Sequence, residues 1–170
     1  MNGTYQEIDG RPALRFERSF SQPVDRVWRA VSDPDEMGRW FPARVTSDMR
    51  PGGAMSFEFE DPDAPPTTGE VTELDPPRLL EFKWGDELLR FELGPEGEGS
   101  RLVFIHFISE REQAARDAAG WDMCLRELGR HVAGEPASAP GIGVTPEWRR
   151  LYDKYIESGL PSGAPVPGDS

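Results

Sequence analysis

Residues Ser109 to Gly134, SEREQAARDAAGWDMCLRELGRHVAG, constrain the fold more than any other stretch. Ala114, Ala118, Trp121, Leu125, Leu128 and Val132 recur at alternating steps of four and three, an apolar stripe at the helical period. Ser109 and Glu112 have capping-box spacing, in which each side chain satisfies an orphan backbone N–H, and Gly134 supplies a left-handed stop. The spacing predicts the longest helix of the chain over 109–134, with one face that must be buried against another element. Gly120 lies inside it, and a mid-helix glycine costs about 1 kcal/mol relative to alanine. A bulky neighbour in close approach to that turn is therefore expected.

The partner for this face is legible upstream. Leu14 and Phe16 alternate with Arg15 and Glu17, and Phe20 resumes the parity, which predicts a first strand over Pro12 to Phe20. Ser21-Gln22-Pro23 opens a helix with Pro23 at its first position and Val24, Val27, Trp28 and Val31 as its stripe. Asp33-Pro34 ends it, and a second short helix is expected over Asp35 to Trp40. After the Pro51-Gly52-Gly53 turn the period is two: Met55, Phe57 and Phe59 share one face. Gly69 to Leu74 forms a strand, and Asp75-Pro76-Pro77 a corner. Leu80, Phe82 and Trp84 share a face of the next strand, Gly85-Asp86 turns the chain, and Leu89, Phe91 and Leu93 share a face of the one after. Arg101 to Ile108 is apolar on both sides: Leu102, Phe104, His106 and Ile108 on one, Val103, Ile105 and Phe107 on the other. Leu102, Phe104 and His106 are taken to face the long helix. The order of elements is α+β, with one antiparallel sheet covered by the helix and the two early helices at one end.

Past Gly134 the composition changes. Residues 1–11 read as a flexible N-terminus, 12–134 as one domain, 135–144 as a Pro/Gly/Ala linker and 160–170 as a disordered tail. Between the last two, residues 145–159 predict an amphipathic helix. Thr145 caps it, Pro146 is at its first position, and Trp148, Leu151, Tyr152, Tyr155 and Ile156 form its stripe. That stripe docks on its own domain, or it covers a partner, a second copy or another protein, or a cavity mouth.

Composition excludes several function classes. The formal charge of −12 lacks the clustered Lys and Arg that nucleic acid or an anionic membrane requires. No apolar run approaches the roughly 20 residues of a membrane span, so no membrane insertion is expected. The single cysteine, Cys124, cannot form an intrachain disulfide, which suits a cytoplasmic setting.

The stretches SQPVDRVWRAVSDPDEMGRWF, PGGAMSFEF, GEVTELDPPRLLEFKW, SRLVFIH and GWDMCLREL, in this order, resemble the START-like or Bet v 1-like (SRPBCC) superfamily. Within it they are similar to the branch of the C-terminal domain of heat-shock protein 90 ATPase activators. The resemblance covers about residues 12–133. It implies a helix-grip fold: a curved antiparallel sheet of about six to seven strands wrapped around a long C-terminal helix, often with an apolar cavity between them. It implies no single activity, since the superfamily includes lipid carriers, aromatases and cyclases, hormone receptors and co-chaperone domains.

No metal, cofactor or phosphate-binding pattern occurs: His106, His131 and Cys124 lack ligand spacing, and no nucleophile elbow or glycine loop is present. Cys124, among Trp121, Leu125 and Leu128, is expected to have a raised pKa and to be inert. Trp40, Phe57, Phe82, Trp84, Phe91, Phe104 and Trp121 could line a cleft for a flat apolar ligand, with His106 as the main polar contact. His106 reads either as a satisfied core histidine or as a group that orients or protonates a ligand oxygen. Three functions follow. The first is binding of a small hydrophobic or aromatic ligand without catalysis. The second is an aromatase- or cyclase-type enzyme with His106 as acid or base, and the third a protein-interaction or co-chaperone-like module using the C-terminal aromatic helix.

Overall fold

In the computed structural model, which describes residues 2–140 and 144–166, every period-two segment becomes a strand of one sheet. The elements are β1 (Thr4–Ile8), β2 (Arg11–Phe20), α1 (Val24–Ser32), α2 (Pro34–Met37), β3 (Arg44–Ser47) and β4 (Ala54–Glu58). They continue with β5 (Thr67–Asp75), β6 (Leu79–Trp84), β7 (Glu87–Glu96), β8 (Gly99–Phe107), α3 (Ala114–Val132) and α4 (Pro146–Glu157). The sheet is antiparallel throughout, in the order β1-β2-β8-β7-β6-β5-β4-β3, and curves around α3.

The sheet has eight strands instead of six to seven, because two short edge strands escape the hydrophobic pattern. β1 occupies the segment expected to be a flexible N-terminus. Its face is only half-buried, so alternation gives little signal; the signal lies in Asp9-Gly10, whose positive φ angles of 53° and 77° make the two-residue hairpin turn that joins Ile8 to Arg11. β3 buries only Val45, opposite Phe57. The turn after it needs Gly53, since a Cβ there would stand 1.8 Å from the Asp48 carbonyl oxygen.

Helix ends also differ in detail. Pro23 is the N-cap of α1, one position earlier than expected, and α2 stops at Met37, short of Trp40. The 109–134 helix begins with a single 3-10 turn, Arg111–Gln113, and its reciprocal cap is Glu110 with Gln113, displaced by one from Ser109 and Glu112. The Glu110 N–H donates to Gln113 Oε1 at 2.7 Å, whereas Ser109 donates its N–H to Glu87 Oε2 at 3.0 Å. Gly134 ends the helix with φ +79°, as its sequence position predicts.

The C-terminal helix packs on its own domain. Trp148 and Tyr155 are 7% and 2% exposed, so these two rings of the stripe are spent on their own domain; among the described residues, Ile156 is the one exposed large apolar side chain. Thr145 Oγ1 accepts the Trp148 N–H at 3.1 Å, the expected cap. Residues 160–166, expected to be disordered, return along the start of α3. The Pro161 carbonyl accepts from Ala115 N–H at 2.9 Å, and Ala164 N–H donates to Glu112 O at 3.2 Å. Backbone pairing holds a proline- and glycine-rich segment that has too little apolar surface to read as ordered. Residues 141–143 of the expected linker and 167–170 of the expected tail lie outside the described residues.

Tyr155 ties the ends of the chain together. Its hydroxyl accepts the Gly3 N–H at 2.9 Å and donates to Asp122 Oδ2 at 2.7 Å, and Asp122 Oδ1 accepts from Arg18 at 3.1 Å. Burial, reinforced by Asp122, pushes the phenol pKa up, so the donor proton is retained. Tyr155→Phe is expected to cost about 1–2 kcal/mol in urea unfolding, with faster amide exchange at Gly3. An unchanged unfolding midpoint would mean that the clasp contributes nothing.

Candidate functional site

In the space where a cavity was expected, Phe104 and Trp84 of the sheet meet Trp121 of α3, and the fully buried Phe41 packs between Trp121 and the rings of Phe57 and Phe82. Phe57, Phe82, Phe91 and Phe104 form a continuous stack across the sheet, with ring centroids 5.7, 6.0 and 4.7 Å apart in that order. Phe104 and Trp121 meet in a T-shaped pair with centroids 4.7 Å apart, and Trp40 forms another with Phe91 at 6.0 Å. Trp40 is itself fixed by its indole N–H, which donates to the Ala30 carbonyl at 2.9 Å. Trp40, Phe57, Phe82, Phe91 and Phe104 are all fully buried. These five expected wall residues therefore pack solid: offset and edge-to-face rings fill the grip themselves.

The other three come together elsewhere. Trp84, His106 and Trp121 line a cleft of about 300 Å³ at the N-terminal half of α3, with Pro42 beneath them and Pro140, Val144 and Trp148 of the C-terminal segment as the opposite wall. The cleft exists because α3 carries Gly120 where a larger residue would fill it. A Cβ at Gly120 would find only Trp148 Nε1, at an ordinary 4.0 Å. The bulky neighbour expected at this turn is the Trp148 side chain, which lies over Gly120 at van der Waals distance, and no other atom comes within 4 Å of that position.

At the inner end of the cleft lies a buried polar relay that joins His106 and Trp121, both expected at the site, to Glu87, which was not. His106, 1% exposed, places Nε2 2.6 Å from Glu87 Oε1, while Trp121 donates its indole N–H to His106 Nδ1 at 2.9 Å. An indole only donates, so Nδ1 is an acceptor and the ring proton sits on Nε2, directed at the carboxylate. Glu87 Oε2 accepts from Ser109 N–H at 3.0 Å and from Gln113 Nε2 at 2.9 Å. Burial opposes ionisation of Glu87, but the hydrogen bonds from His106, Gln113 and Ser109 outweigh it and hold the carboxyl at about 2, below its ordinary 4.5. Glu87 comes beside His106 through register. Gly85-Asp86 sets Trp84 opposite Glu87, the β7–β8 hairpin sets Leu89 opposite His106, and Glu87 is then the diagonal neighbour two residues on. Counting through the two turns could have found it.

Glu87, His106 and Asp117 bring one potential ligand atom each within 4.8 Å of one another. They do not suit a divalent cation. A histidine that binds metal through Nε2 carries its proton on Nδ1, and here the Trp121 N–H already points at Nδ1. Cys124 also lines the cleft, 2% exposed, and burial pushes its thiol pKa up, leaving it inert as its setting predicts. With both ring nitrogens engaged, His106 meets the reading of a satisfied core histidine that anchors α3 to the sheet; it offers no free lone pair or proton to a ligand.

The profile of the family described as "Activator of Hsp90 ATPase homolog 1-like protein" matches residues 21–133. Among solved structures, CalU16 from Micromonospora echinospora is 26% identical, with 92% of each chain covered and a TM-score of 0.70. The protein encoded by gene BPP1335 from Bordetella parapertussis is 27% identical, covering 95% of this chain and 92% of its own, at a TM-score of 0.66. DynU16, a protein of the dynemicin biosynthetic locus, is 27% identical over 76% of this chain and 50% of its own, at a TM-score of 0.67. No curated protein matches the sequence.

Proposed function

The chain belongs to the activator of Hsp90 ATPase homolog 1-like family, whose fold serves proteins that bind hydrophobic ligands or act as cyclases, and from that premise we propose that it binds a small, flat, apolar molecule in the cleft between Trp121 and Trp148. The observation that carries this reading is the cleft itself: about 300 Å³ walled by Trp84, Trp121, Trp148, Met123 and Val144 and kept open by a helical glycine. Apolar walls with a few fixed polar groups at one end are the usual form of a small-molecule site. Ring stacking on indole faces supplies the affinity, and the Glu87–His106–Trp121 relay fixes the orientation of the Trp121 face instead of reacting with the ligand. A cyclase reading lacks support, because an acid or base needs a free lone pair or proton and His106 has neither to offer.

Gly120→Leu tests the proposal. The leucine side chain enters the cleft from α3 with no backbone in its way, and it removes the roughly 1 kcal/mol helical penalty of glycine. Binding of fluorene, followed by quenching of tryptophan fluorescence, is expected in the wild type and lost in Gly120→Leu, with a melting temperature equal to or above that of the wild type. Equal binding by both proteins would show that the cleft is not the site. Native mass spectrometry of the freshly purified protein, repeated on the variant, checks for a co-purified ligand by the same logic.

A further inference from the structure

Building on the cleft reading, we propose that the ligand is a neutral flat molecule bearing a hydrogen-bond acceptor oxygen, of the ketone, quinone or ether kind, received by the indole N–H of Trp148. Trp148 is 7% exposed, lines the cleft, and holds Nε1 at the wall beside Gly120. No acceptor for that N–H is found among the described residues. Trp84 Nε1, on the sheet side of the same cleft, is buried and likewise lacks an acceptor.

The acceptors lining the cleft are in the opposite condition. His106 Nδ1 receives Trp121, Glu87 receives His106, Ser109 and Gln113, Gln113 Oε1 receives Glu110 N–H, and Asp117 receives Arg116 and Gln113. Each of these acceptors already holds at least one donor, whereas the two indole N–H groups hold no acceptor among the described residues, and an occupant must bring an acceptor to satisfy them. Charge decides that the acceptor is neutral. Glu87 and Asp117 contribute two carboxylates to the lining, and the one cation among the described lining residues, Arg116, is engaged by Asp117 Oδ1 at 2.8 Å and by the Pro165 carbonyl at 3.1 Å. A carboxylate ligand would meet a net negative wall at low dielectric.

Three ligands of one shape test this: fluorene, 9-fluorenone and fluorene-2-carboxylate, titrated against wild type and Trp148→Phe. The phenyl ring keeps the wall and its stacking on Tyr152 but has no N–H. The affinity ratio of fluorenone to fluorene is expected to be about 3–10 times larger in the wild type than in the variant, with the carboxylate weaker than fluorene. In the wild type alone, fluorenone and not fluorene should shift an indole N–H proton resonance downfield, a readout that survives if the variant does not fold. Equal ratios in the two proteins, no indole shift, or tightest binding by the carboxylate would overturn the acceptor proposal while leaving the cleft a binding site. Failure of both fluorene and fluorenone to bind the wild type would overturn the cleft reading with it.

Discussion

Phe91→Ala is expected to lower the unfolding free energy by about 4 kcal/mol, the range for removing a fully buried phenylalanine from a core that cannot collapse around the gap. Phe91 lies 4.7 Å from Phe104 and 6.0 Å from Phe82, ring centre to ring centre, and Trp40 forms a T-shaped pair with it at 6.0 Å. It is fully buried, with aromatic rings packed on it from two neighbouring strands and from Trp40. Equilibrium urea unfolding measures the loss. The size of the effect also separates two pictures of the grip. A packed core predicts a large loss of stability with little change in fluorene binding, because Phe91 lies away from the cleft. A ligand-lined grip predicts the reverse. A loss below about 1.5 kcal/mol, accompanied by loss of fluorene binding, would show that the rings are wall and not core.

The second large effect concerns charge. Glu87 is held at about 2 in the folded chain against an ordinary 4.5. A depressed folded-state pKa contributes stability that is complete above the unfolded value and disappears as pH falls through the folded one. Discounted for solvent screening of a partly exposed carboxylate, that contribution is about 1–2 kcal/mol at neutral pH, lost between roughly pH 4.5 and 2. Glu87→Gln keeps an acceptor for His106 and loses the charge. The difference in unfolding free energy between wild type and Glu87→Gln is expected to be largest at pH 7 and to shrink toward zero as pH approaches 2. Other carboxylates titrate in both proteins and cancel from the difference. A difference that stays constant across this range would mean that the Glu87 charge is not stabilised by the fold. His106→Leu makes the same point from the other partner: it strips the Glu87 carboxylate of one donor and leaves the buried Trp121 N–H without an acceptor, for an expected loss of about 3 kcal/mol at pH 7.

Both effects depend on residues whose types were legible and whose surroundings were not. The parity of β8 placed His106 on the face of Leu102 and Phe104, which is where it lies. The same strand is apolar on its outer face, where Ile105 and Phe107 form a second small cluster with Ala13 and the Arg11 guanidinium lies 4.6 Å from the Phe107 ring. That outer cluster is why parity alone gave two candidate faces. Glu87 was hidden for another reason: it sits at the first position of β7, beside a turn, and polar residues beside turns are ordinarily solvated. Only the summed register of two hairpins turns it inward beside His106. The aromatic rings were correctly assigned to the sheet–helix interface, but side-chain type does not reveal whether rings touch one another or surround a gap.

What the sequence determined by itself is the set of elements and their caps: the long helix with its stripe and terminal Gly134, the period-two strands, Thr145 and Pro146 at the start of α4, and the α+β order. These depend on residues near one another in the chain, where backbone geometry alone makes spacing meaningful. Tertiary structure decided the rest. It chose a filled grip over a hollow one, because ring-to-ring contact depends on the relative height of four strands and a helix. It moved the cleft to the N-terminal half of α3, because that space is bounded by Gly120 on one side and by Trp148, twenty-eight residues later, on the other. It also ordered residues 160–166, held by backbone pairing to Glu112 and Ala115, by Arg116 on the Pro165 carbonyl and by Leu160 and Val166 against the core, none of which forms a periodic pattern. Contacts between distant segments carry no local pattern, and every feature that defines the candidate site is of that kind.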